Sequence, residues 1–346
     1  MAYSFDSKLI KTGKAMKTFK ATVLGLVLLL VACNKSDEGT IGNWVKKSDF
    51  EGMPRGSAVN FVIGEYAYVG LGYNDDNSNE YLNDFWKYNP AIDRWDRVAD
   101  FPGKGRVAAV SFSINGKGYV ATGYDGENSL KDLWEYDPAT DRWTQKDDFM
   151  GGARYKGVGF SLGNYGYIGT GYGEDLVDKI DFYRFDPTAS SGNQWTKVQS
   201  IGGSKRRGAL AFTNNGKAYV CNGISNGVFQ TDMWEYDPTG DMWTKKTDLD
   251  EDDSWSILRQ NATSFVCDGK AYVTFGEKSG YLKDVWEYDF SADTWLEKTD
   301  FEGAGRTNAV AFTVGGKAIV TTGYTGSYYL DDVWEFKPYD EYDEND

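Results

Sequence analysis

The chain has 346 residues, a net charge of −15 at pH 7 and no histidine. This acidic balance excludes the broad basic surface that nucleic acid requires, so we expect no nucleic-acid partner. Without histidine the chain lacks the commonest general base and metal ligand, and serine–histidine and cysteine–histidine nucleophile pairs are excluded. The sequence has no C-x-x-C pair and no G-x-x-x-x-G-K-[ST] loop, so it predicts neither a metal nor a cofactor.

The first segment, 1–32, is predicted to be a signal peptide of the lipoprotein type. Five lysines precede the apolar run Ala21–Ala32, which is too short to span a bilayer but suits a signal-peptide core. The run ends in Leu30-Val31-Ala32-Cys33, which resembles the lipobox of bacterial lipoproteins. This resemblance implies that the cysteine receives lipid and becomes the new N-terminus. Met16 would give a more typical signal length and is an alternative start codon.

The polar segment 33–43 is predicted to be a lipidated linker that holds the protein at the bacterial cell envelope. Several acyl chains give stable anchoring where one is marginal, so we expect a membrane partner through Cys33. The acidic pair Asp37-Glu38 resembles the surface-export signals of some Gram-negative lipoproteins, which implies the outer membrane and favours surface exposure. A periplasmic orientation stays open. Removal of 1–32 takes away five lysines and one aspartate and changes the net charge from −15 to −19.

From residue 44 onward the chain repeats about every 50 residues. An arginine is followed seventeen residues later by a glycine, six times. A period near 50 with strand-like content is typical of a β-propeller blade. The pairs are Arg55/Gly72, Arg106/Gly123, Arg154/Gly171, Arg206/Gly223, Arg259/Gly276 and Arg306/Gly323.

The second repeat shows what one blade contains. Alternating apolar residues predict a strand over 106–114, and Asn115-Gly116 is a strong hairpin signal because a type I′ turn needs positive φ at both positions. A second strand is predicted over 118–122 and a third over 132–136. A proline then turns the chain, and Trp143 opens the fourth strand. Each repeat is therefore predicted to be a four-stranded antiparallel meander.

The N-terminal strand at Trp44 is predicted to close the ring. Trp44 lies eleven residues before Arg55, the same spacing that separates the fourth-strand tryptophan from the next arginine in other repeats. The sixth repeat stops at Pro338 after its third strand, so it lacks the strand that Trp44 supplies. The sequence thus predicts an all-β, six-bladed propeller over 44–338, followed by an acidic tail, 339–346. Ring closure leaves no broad sheet edge exposed.

The repeat resembles the kelch family. The features that match are Arg106, Tyr119-Val120, Gly123, the run Trp134-Glu-Tyr-Asp-Pro138 and Trp143, and they recur over roughly 44–338. The chain departs from the family pattern in one respect, since only the second member of the usual glycine pair is present. Some kelch-type propellers are copper-radical oxidases whose metal site uses histidines, so that activity is not carried over to this chain.

The antiparallel register predicts a ligand site at one mouth of the central channel. It places the residue after each repeat glycine at the same end as the repeat arginine, and two long loops, Tyr73–Leu82 and Asp248–Leu258, lie at this end. In kelch adaptor domains, arginines and tyrosines at matching positions contact acidic ligands. A residue repeated in every blade also suits a purely structural role, so both interpretations of the arginines stay open. The predicted ligand-binding residues are Arg55, Arg106, Arg154, Arg206, Arg259, Arg306, Tyr73, Tyr124, Tyr172, Tyr324 and Trp255.

Two classes of function fit these observations. The first is a non-catalytic binding module that recognises a glycan or an acidic or protein partner, and it is favoured because no pair of carboxylates stands out. The second is a histidine-independent enzyme acting on sugars, resembling the kelch-fold sialate mutarotases. Its acid/base candidate is Glu277, which replaces the tyrosine of that position by a carboxylate near arginines. Glu277 fits a salt-bridge role equally well.

The remaining polar clusters and cysteines favour simpler interpretations. The acidic loops Asn74–Glu80 and Asp248–Asp253 contain calcium-type ligands but lack EF-hand spacing, so they are interpreted as solvated loops. Cys221 and Cys267 occupy different positions of different repeats, and nothing in the sequence brings them within disulfide range. They are predicted to be small buried apolar residues.

Overall fold

The structure is a computed structural model that describes residues 41–75 and 80–343. Every regular element among them is a β-strand, and no helix long and apolar enough to cross a bilayer is found in this part of the chain. The predicted signal peptide 1–32, Cys33 and the first part of the linker lie outside the described residues. The described residues belong to a single compact unit.

Six sheets of four antiparallel strands form the blades of a propeller. Blade one consists of β2 (Val59–Ile63), β3 (Tyr66–Gly70), β4 (Phe85–Asn89) and β5 (Arg94–Val98). Blade two consists of β6 (Val110–Ile114), β7 (Lys117–Ala121), β8 (Leu133–Asp137) and β9 (Arg142–Gln145). Blade three consists of β11 (Val158–Leu162), β12 (Tyr165–Gly169), β14 (Phe182–Phe185) and β15 (Trp195–Val198). Blade four consists of β16 (Leu210–Asn214), β17 (Lys217–Cys221), β20 (Trp234–Asp237) and β21 (Met242–Lys245). Blade five consists of β22 (Thr263–Cys267), β23 (Lys270–Thr274), β24 (Val285–Asp289) and β25 (Thr294–Lys298). Blade six consists of β26 (Val310–Val314), β27 (Lys317–Thr321), β28 (Val333–Glu341) and β1 (Ile41–Lys46). Two short ladders extend blades three and four, β10 (Arg154–Tyr155) with β13 (Tyr172–Gly173) and β18 (Ile224–Ser225) with β19 (Val228–Phe229).

The predicted hairpins are confirmed, and the first strands begin later than predicted. Asn115 and Gly116 have φ of 50° and 78°, as a type I′ turn requires, and they join β6 to β7. β6 begins at Val110 and not at Arg106, because Ala108 has a left-handed φ of 50° that an extended strand cannot contain. The arginine therefore lies in a loop before the strand.

The N-terminal strand completes the sixth blade, as predicted. β1 pairs antiparallel with β28, with Trp44 opposite Phe336. The Trp44 side chain is fully buried, and its ring centroid lies 4.8 Å from that of Phe301. β28 runs on through Pro338 to Glu341, so the blade extends three residues beyond the predicted boundary. Proline is tolerated because it falls in a bulge of the β1–β28 ladder, where no regular pairing needs its missing N–H.

The core consists of apolar clusters between neighbouring blades. A phenylalanine of each first strand in blades one to five stacks on a tyrosine of the second strand, as Phe112 does on Tyr119 at a centroid distance of 5.4 Å. Neighbouring blades approach closely at the second strand: a Cβ on Gly118 would lie 2.1 Å from the ring of Phe61. Cys221 and Cys267 are buried free thiols inside these clusters, as the sequence predicted.

Candidate functional site

The six repeat arginines are buried and do not line the mouth, which corrects the prediction that they lie on its surface. Each side chain is at most 1 % exposed. Each also forms an ion pair with an aspartate that precedes the third strand of its own blade. The pairs are Arg55–Asp84, Arg106–Asp132, Arg154–Asp181, Arg206–Asp232, Arg259–Asp284 and Arg306–Asp332.

The contacts of Arg106 show why a guanidinium is needed in every blade. Its Nη1 and Nη2 donate to the two carboxylate oxygens of Asp132 at 2.6 and 2.8 Å. Nη1 also donates to the Thr122 carbonyl at 2.9 Å, and Nε donates to the Lys104 carbonyl at 3.0 Å. The guanidinium carbon lies 4.8 Å from the centroid of the Phe101 ring. A bidentate fork with additional donors suits arginine and not lysine, and these bonds leave the group engaged within the fold.

In four of these pairs the pKa of the aspartate carboxyl is lowered, which favours its charged form. Burial raises the pKa of the Asp132 carboxyl, but the hydrogen bonds and charge of Arg106 outweigh burial, and the pKa lies below its ordinary value. The indole of Trp134 contributes a further hydrogen bond to the same carboxylate, at 2.7 Å. The pKa values of Asp84 and Asp181 are lowered in the same way. The ion pairs are therefore part of the folded scaffold at neutral pH.

Below the arginines, a closed ring of backbone hydrogen bonds surrounds the channel. The residue two positions after each repeat arginine has a left-handed φ between 50° and 62°. Its N–H donates to the carbonyl of the equivalent residue in the preceding blade, at 2.9 to 3.3 Å, and Ser57 donates to Asn308 to close the circle. We name these residues the annulus: Ser57, Ala108, Lys156, Gly208, Asn261 and Asn308.

Tyrosines form an arc around the mouth above the annulus. The register places the predicted tyrosines at this end, since Tyr73 bridges to Gly56 and Tyr124 to Val107. The tyrosines form two groups. In a group of five, in blades five, six and one, the centroids of successive rings lie 4.8 to 6.2 Å apart. In a group of three, in blades two and three, they lie 5.3 to 5.7 Å apart. The tyrosine arc consists of Tyr281, Tyr324, Tyr329, Tyr73 and Tyr81, and of Tyr124, Tyr155 and Tyr172.

Half of this arc was not predicted from the sequence. Tyr155 pairs with Tyr172 across a two-residue ladder, and the register that placed Tyr172 at the mouth could have identified it. Tyr81, Tyr281 and Tyr329 lie in loops between second and third strands whose lengths differ among blades. Each of them lies three residues before the aspartate that precedes the third strand, so counting back from that aspartate could have identified them.

Two neighbouring cavities open within the mouth. One, of about 250 Å³, lies between blades one and six and is lined by Tyr73, Tyr81, Tyr324 and Tyr329 together with polar residues of the annulus. The other, of about 140 Å³, is bounded by the annulus itself. Ser57 and Asn308 line both cavities, so the two spaces adjoin each other.

A charged cluster lies in blades four and five, between the two groups of tyrosines. In blade four, Arg207 donates to Asp178 at 2.8 Å, and its guanidinium lies 4.5 Å from the ring of Tyr172. In blade five, Glu277 accepts a 2.8 Å hydrogen bond from the side chain of Asn261. The structure thus brings Glu277 to the mouth as predicted. Its neighbours are Asn261 and Lys156, and not the buried arginines. The negative charge of Glu277 acts to raise the pKa of the Lys156 ammonium.

Trp255 is partly buried and packs against the core, and its role as a ligand contact stays a prediction. The Asp248–Leu258 loop turns Trp255 and Leu258 against the apolar cluster between blades four and five, where Ile257 is fully buried. The insertion supplies core at this point. Among the described residues, no group of three or more aspartate, glutamate or cysteine side chains is placed to hold a metal ion.

Comparisons with known proteins agree with this architecture. Residues 105–150 match the model of the Kelch motif. The N-acetylneuraminate epimerases of Shigella sonnei and Escherichia coli K12 are each 34% identical over 82 residues, which is 23% of this chain and 22% of each relative. The chain therefore matches about a fifth of the length of these curated relatives. The solved structure of YjhT superimposes with a TM-score of 0.70 at 17% identity, over 83% of this chain and 95% of that one.

Proposed function

We propose that this chain, a six-bladed kelch-repeat β-propeller, is a saccharide-binding protein of the bacterial cell envelope. The ligand occupies the mouth, and Cys33 carries the lipid that holds the protein at the membrane. The observation that carries the proposal is the tyrosine arc, whose partly exposed rings border a cavity of about 250 Å³.

Tyrosine suits a saccharide because its ring is apolar and its hydroxyl is polar. The apolar face of a pyranose packs on an aromatic ring, and its hydroxyls need hydrogen-bonding partners at the edges. Ser57 and Asn308 supply polar groups beside the four tyrosines of the cavity. Aromatic rings held by neighbouring rings also lose little conformational entropy on binding, which favours affinity.

The charge of the molecule favours an uncharged or zwitterionic ligand over a polyanion. The net charge without 1–32 is −19, and the arginines that would offset it at the mouth are paired internally. The cluster of Lys156, Arg207, Asp178 and Glu277 contains two basic and two acidic side chains, so it adds no positive charge at the mouth. Nucleic acid is an unfavourable partner for the same reason.

The course of the first strand is compatible with a tether upstream of it. Ile41 pairs with Glu341 and Lys46 pairs with Trp334, and β28 runs away from the mouth after leaving Tyr324 and its loop. The chain therefore enters β1 at the end of blade six opposite the mouth. A lipid anchor upstream of Ile41 leaves the tyrosine arc open to a ligand.

A glycan array probed with the purified, labelled full chain tests the proposal. We expect one class of saccharide to be bound, and the same saccharide to raise the melting temperature of the protein in solution, since a ligand that binds only the folded state stabilises it. Loss of array binding in Tyr329→Ala would locate the ligand at the tyrosine arc. If no glycan on the array is bound and a protein binds at the mouth instead, the ligand is a protein partner and not a saccharide.

A second candidate is an enzyme that acts on a sugar. It is favoured by the presence of Glu277 at the mouth near Lys156 and by the partial similarity to N-acetylneuraminate epimerases. Proton NMR of freshly dissolved N-acetylneuraminate measures how fast its anomers equilibrate. Catalysis predicts acceleration by the wild-type protein and its loss in Glu277→Gln. An unchanged rate would exclude this activity on that sugar.

A further inference from the structure

Lys156 has an unusual place among the lysines of the molecule. It belongs to the annulus, where the other five side chains are small or amide groups, and it is partly buried. Its Nζ forms no ion pair with a carboxylate of the described residues, when an ion pair is taken as an N–O distance of at most 4.0 Å. Most other lysines in the described part of the chain form such a pair, as Lys117 does with Glu135 at 3.0 Å.

The backbone at Lys156 is in a conformation that lysine rarely adopts. Its φ is 55°, in the left-handed region that is unfavourable for non-glycine residues. The next annulus position is Gly208, which has no side chain, and the one after it is Asn261, which holds Glu277. The absence of a side chain at Gly208 lets Asn261 lie close to its backbone, and Asn261 holds the Glu277 carboxylate.

The surroundings of the amine favour its uncharged form. Burial lowers the pKa of the Lys156 ammonium, an effect that the charge of Glu277 opposes and the charge of Arg207 increases. A desolvated lysine beside another cation is the environment in which an amine becomes a nucleophile toward carbonyl compounds. Glu277 is close enough to influence the amine, and its orientation is fixed by the 2.8 Å bond from Asn261.

We propose that Lys156 forms a reversible imine with the open-chain carbonyl group of a reducing saccharide held at the mouth. The proposal rests on saccharide binding at the tyrosine arc, because the cavity bounded by the annulus adjoins the tyrosine-lined cavity at Ser57 and Asn308. A sugar ring between the tyrosines can then direct its reducing end toward Lys156. The ligand class is a saccharide with a free aldehyde or ketone function.

The step is an addition followed by loss of water. The lone pair of Nζ forms a C–N bond to the carbonyl carbon, and the carbonyl π electrons move to oxygen. In the proposed step Glu277 carries the two amine protons, one after the other, from nitrogen to that oxygen, which leaves as water. The neutral imine that remains then takes up a proton from solvent. Nothing is oxidised or reduced, and addition of water reverses the reaction. Glu277 acts here as a proton carrier for the lysine.

Reductive trapping on the full chain tests this proposal. The protein is incubated at neutral pH with glyceraldehyde, a small aldose, and cyanoborohydride, which reduces an imine to a stable secondary amine. Peptide mass mapping then follows each lysine with time. We expect Lys156 to be modified at least about tenfold faster than Lys205 and Lys278, which also form no ion pair among the described residues. Glu277→Gln should slow the labelling of Lys156 several-fold and leave Lys278 unchanged.

Lys156→Arg is the matched control, because it keeps a cation and cannot form an imine. It should abolish the fast phase of labelling without changing the melting temperature by more than a few degrees. Labelling of Lys156 that is no faster than that of Lys278 would overturn the proposal.

Calorimetry with methyl glycosides, which have no free carbonyl group, separates the two proposals. Glycoside binding without fast labelling would leave saccharide binding intact and reject the imine, and fast labelling without glycoside binding would reject the tyrosine site instead.

Discussion

The backbone N–H of Gly323 donates a 2.8 Å hydrogen bond to the carbonyl oxygen of Arg55 and so joins the last repeat to the first. Each of the other five repeat glycines donates the equivalent hydrogen bond to the arginine of the next blade. Gly72, for example, donates to the carbonyl of Arg106 at 2.9 Å. The arginine side chain meanwhile pairs within its own blade. The arginine–glycine repeat is therefore the means by which neighbouring blades are connected, which explains why it recurs six times.

Removal of one repeat arginine should destabilise the fold. Arg106→Ala leaves the Asp132 carboxylate and the Thr122 carbonyl without their partner, so we expect the free energy of unfolding to fall by about 3 to 5 kcal/mol. Urea denaturation of the purified variant measures this. The matched control is Arg97→Ala, whose pair with Asp100 is exposed and should contribute at most about 1 kcal/mol. Equal stability of the two variants would contradict a structural role for the arginine.

The closing strand should contribute strongly to stability. Trp44→Ala removes a fully buried indole from the cluster that contains Phe301 and Phe336, at an expected cost of about 3 to 5 kcal/mol. Thermal unfolding should show a lower midpoint and, because β28 loses its partner, greater protease sensitivity near residue 341. Ile41→Ala, at the exposed start of the same strand, is the control and should be nearly neutral. A Trp44→Ala protein as stable as the control would mean that the ring closes without this strand.

The ion pairs predict loss of stability in acid. The pKa values of Asp84, Asp132, Asp181 and Asp332 are lowered in the folded protein, so the folded state binds fewer protons than the unfolded state. Their contribution to the free energy of unfolding is fully present above the aspartate pKa of the unfolded state, near 4. It disappears as the pH falls through the lower pKa values of the folded state. Urea midpoints should be constant from pH 7 to about 5 and should fall steeply below about 4. A midpoint that does not change down to pH 3 would contradict the pairing.

Lipidation makes a prediction that is independent of the propeller. Cys33→Ser should prevent acylation, so the protein should accumulate as the unprocessed precursor or be found outside the membrane fraction. Fractionation of expressing cells, with mass spectrometry of the N-terminal peptide, measures both outcomes. The signal-peptidase inhibitor globomycin applied to the wild type should reproduce the precursor. Membrane association that persists in Cys33→Ser, with processing that ignores the inhibitor, would show that Cys33 carries no anchor.

Strand register was the part of the structure most accessible from the sequence. The hairpin turns fixed which residues face each other, and this correctly brought Tyr73, Tyr124, Tyr172 and Tyr324 to one mouth. Burial of the arginines was not predicted, although a signal was present. An aspartate recurs in all six repeats two residues before the third-strand aromatic residue. A repeated arginine with a repeated aspartate favours an internal ion pair over a ligand site.

Backbone conformation was less accessible, because it depends on contacts between blades. The position before each repeat glycine has a φ of 55° to 63° although it is never a glycine here, as at Thr122 and Phe275. The kelch glycine pair therefore keeps its conformation while losing its first glycine. The annulus is similar, since nothing in the local sequence of Lys156 distinguishes a left-handed residue from a strand residue. Hydrogen bonds from neighbouring blades impose that conformation.

The most direct test of the account is calorimetric titration of the saccharide identified on the array into two tyrosine variants. Tyr329→Ala removes a ring of the tyrosine arc, and Tyr66→Ala removes a partly exposed ring at the hairpin end of blade one. We expect Tyr329→Ala to weaken binding about tenfold, the scale of a lost aromatic contact, while Tyr66→Ala binds as the wild type does. Wild-type affinity in Tyr329→Ala, or equal loss in both variants, would contradict a saccharide site at the mouth.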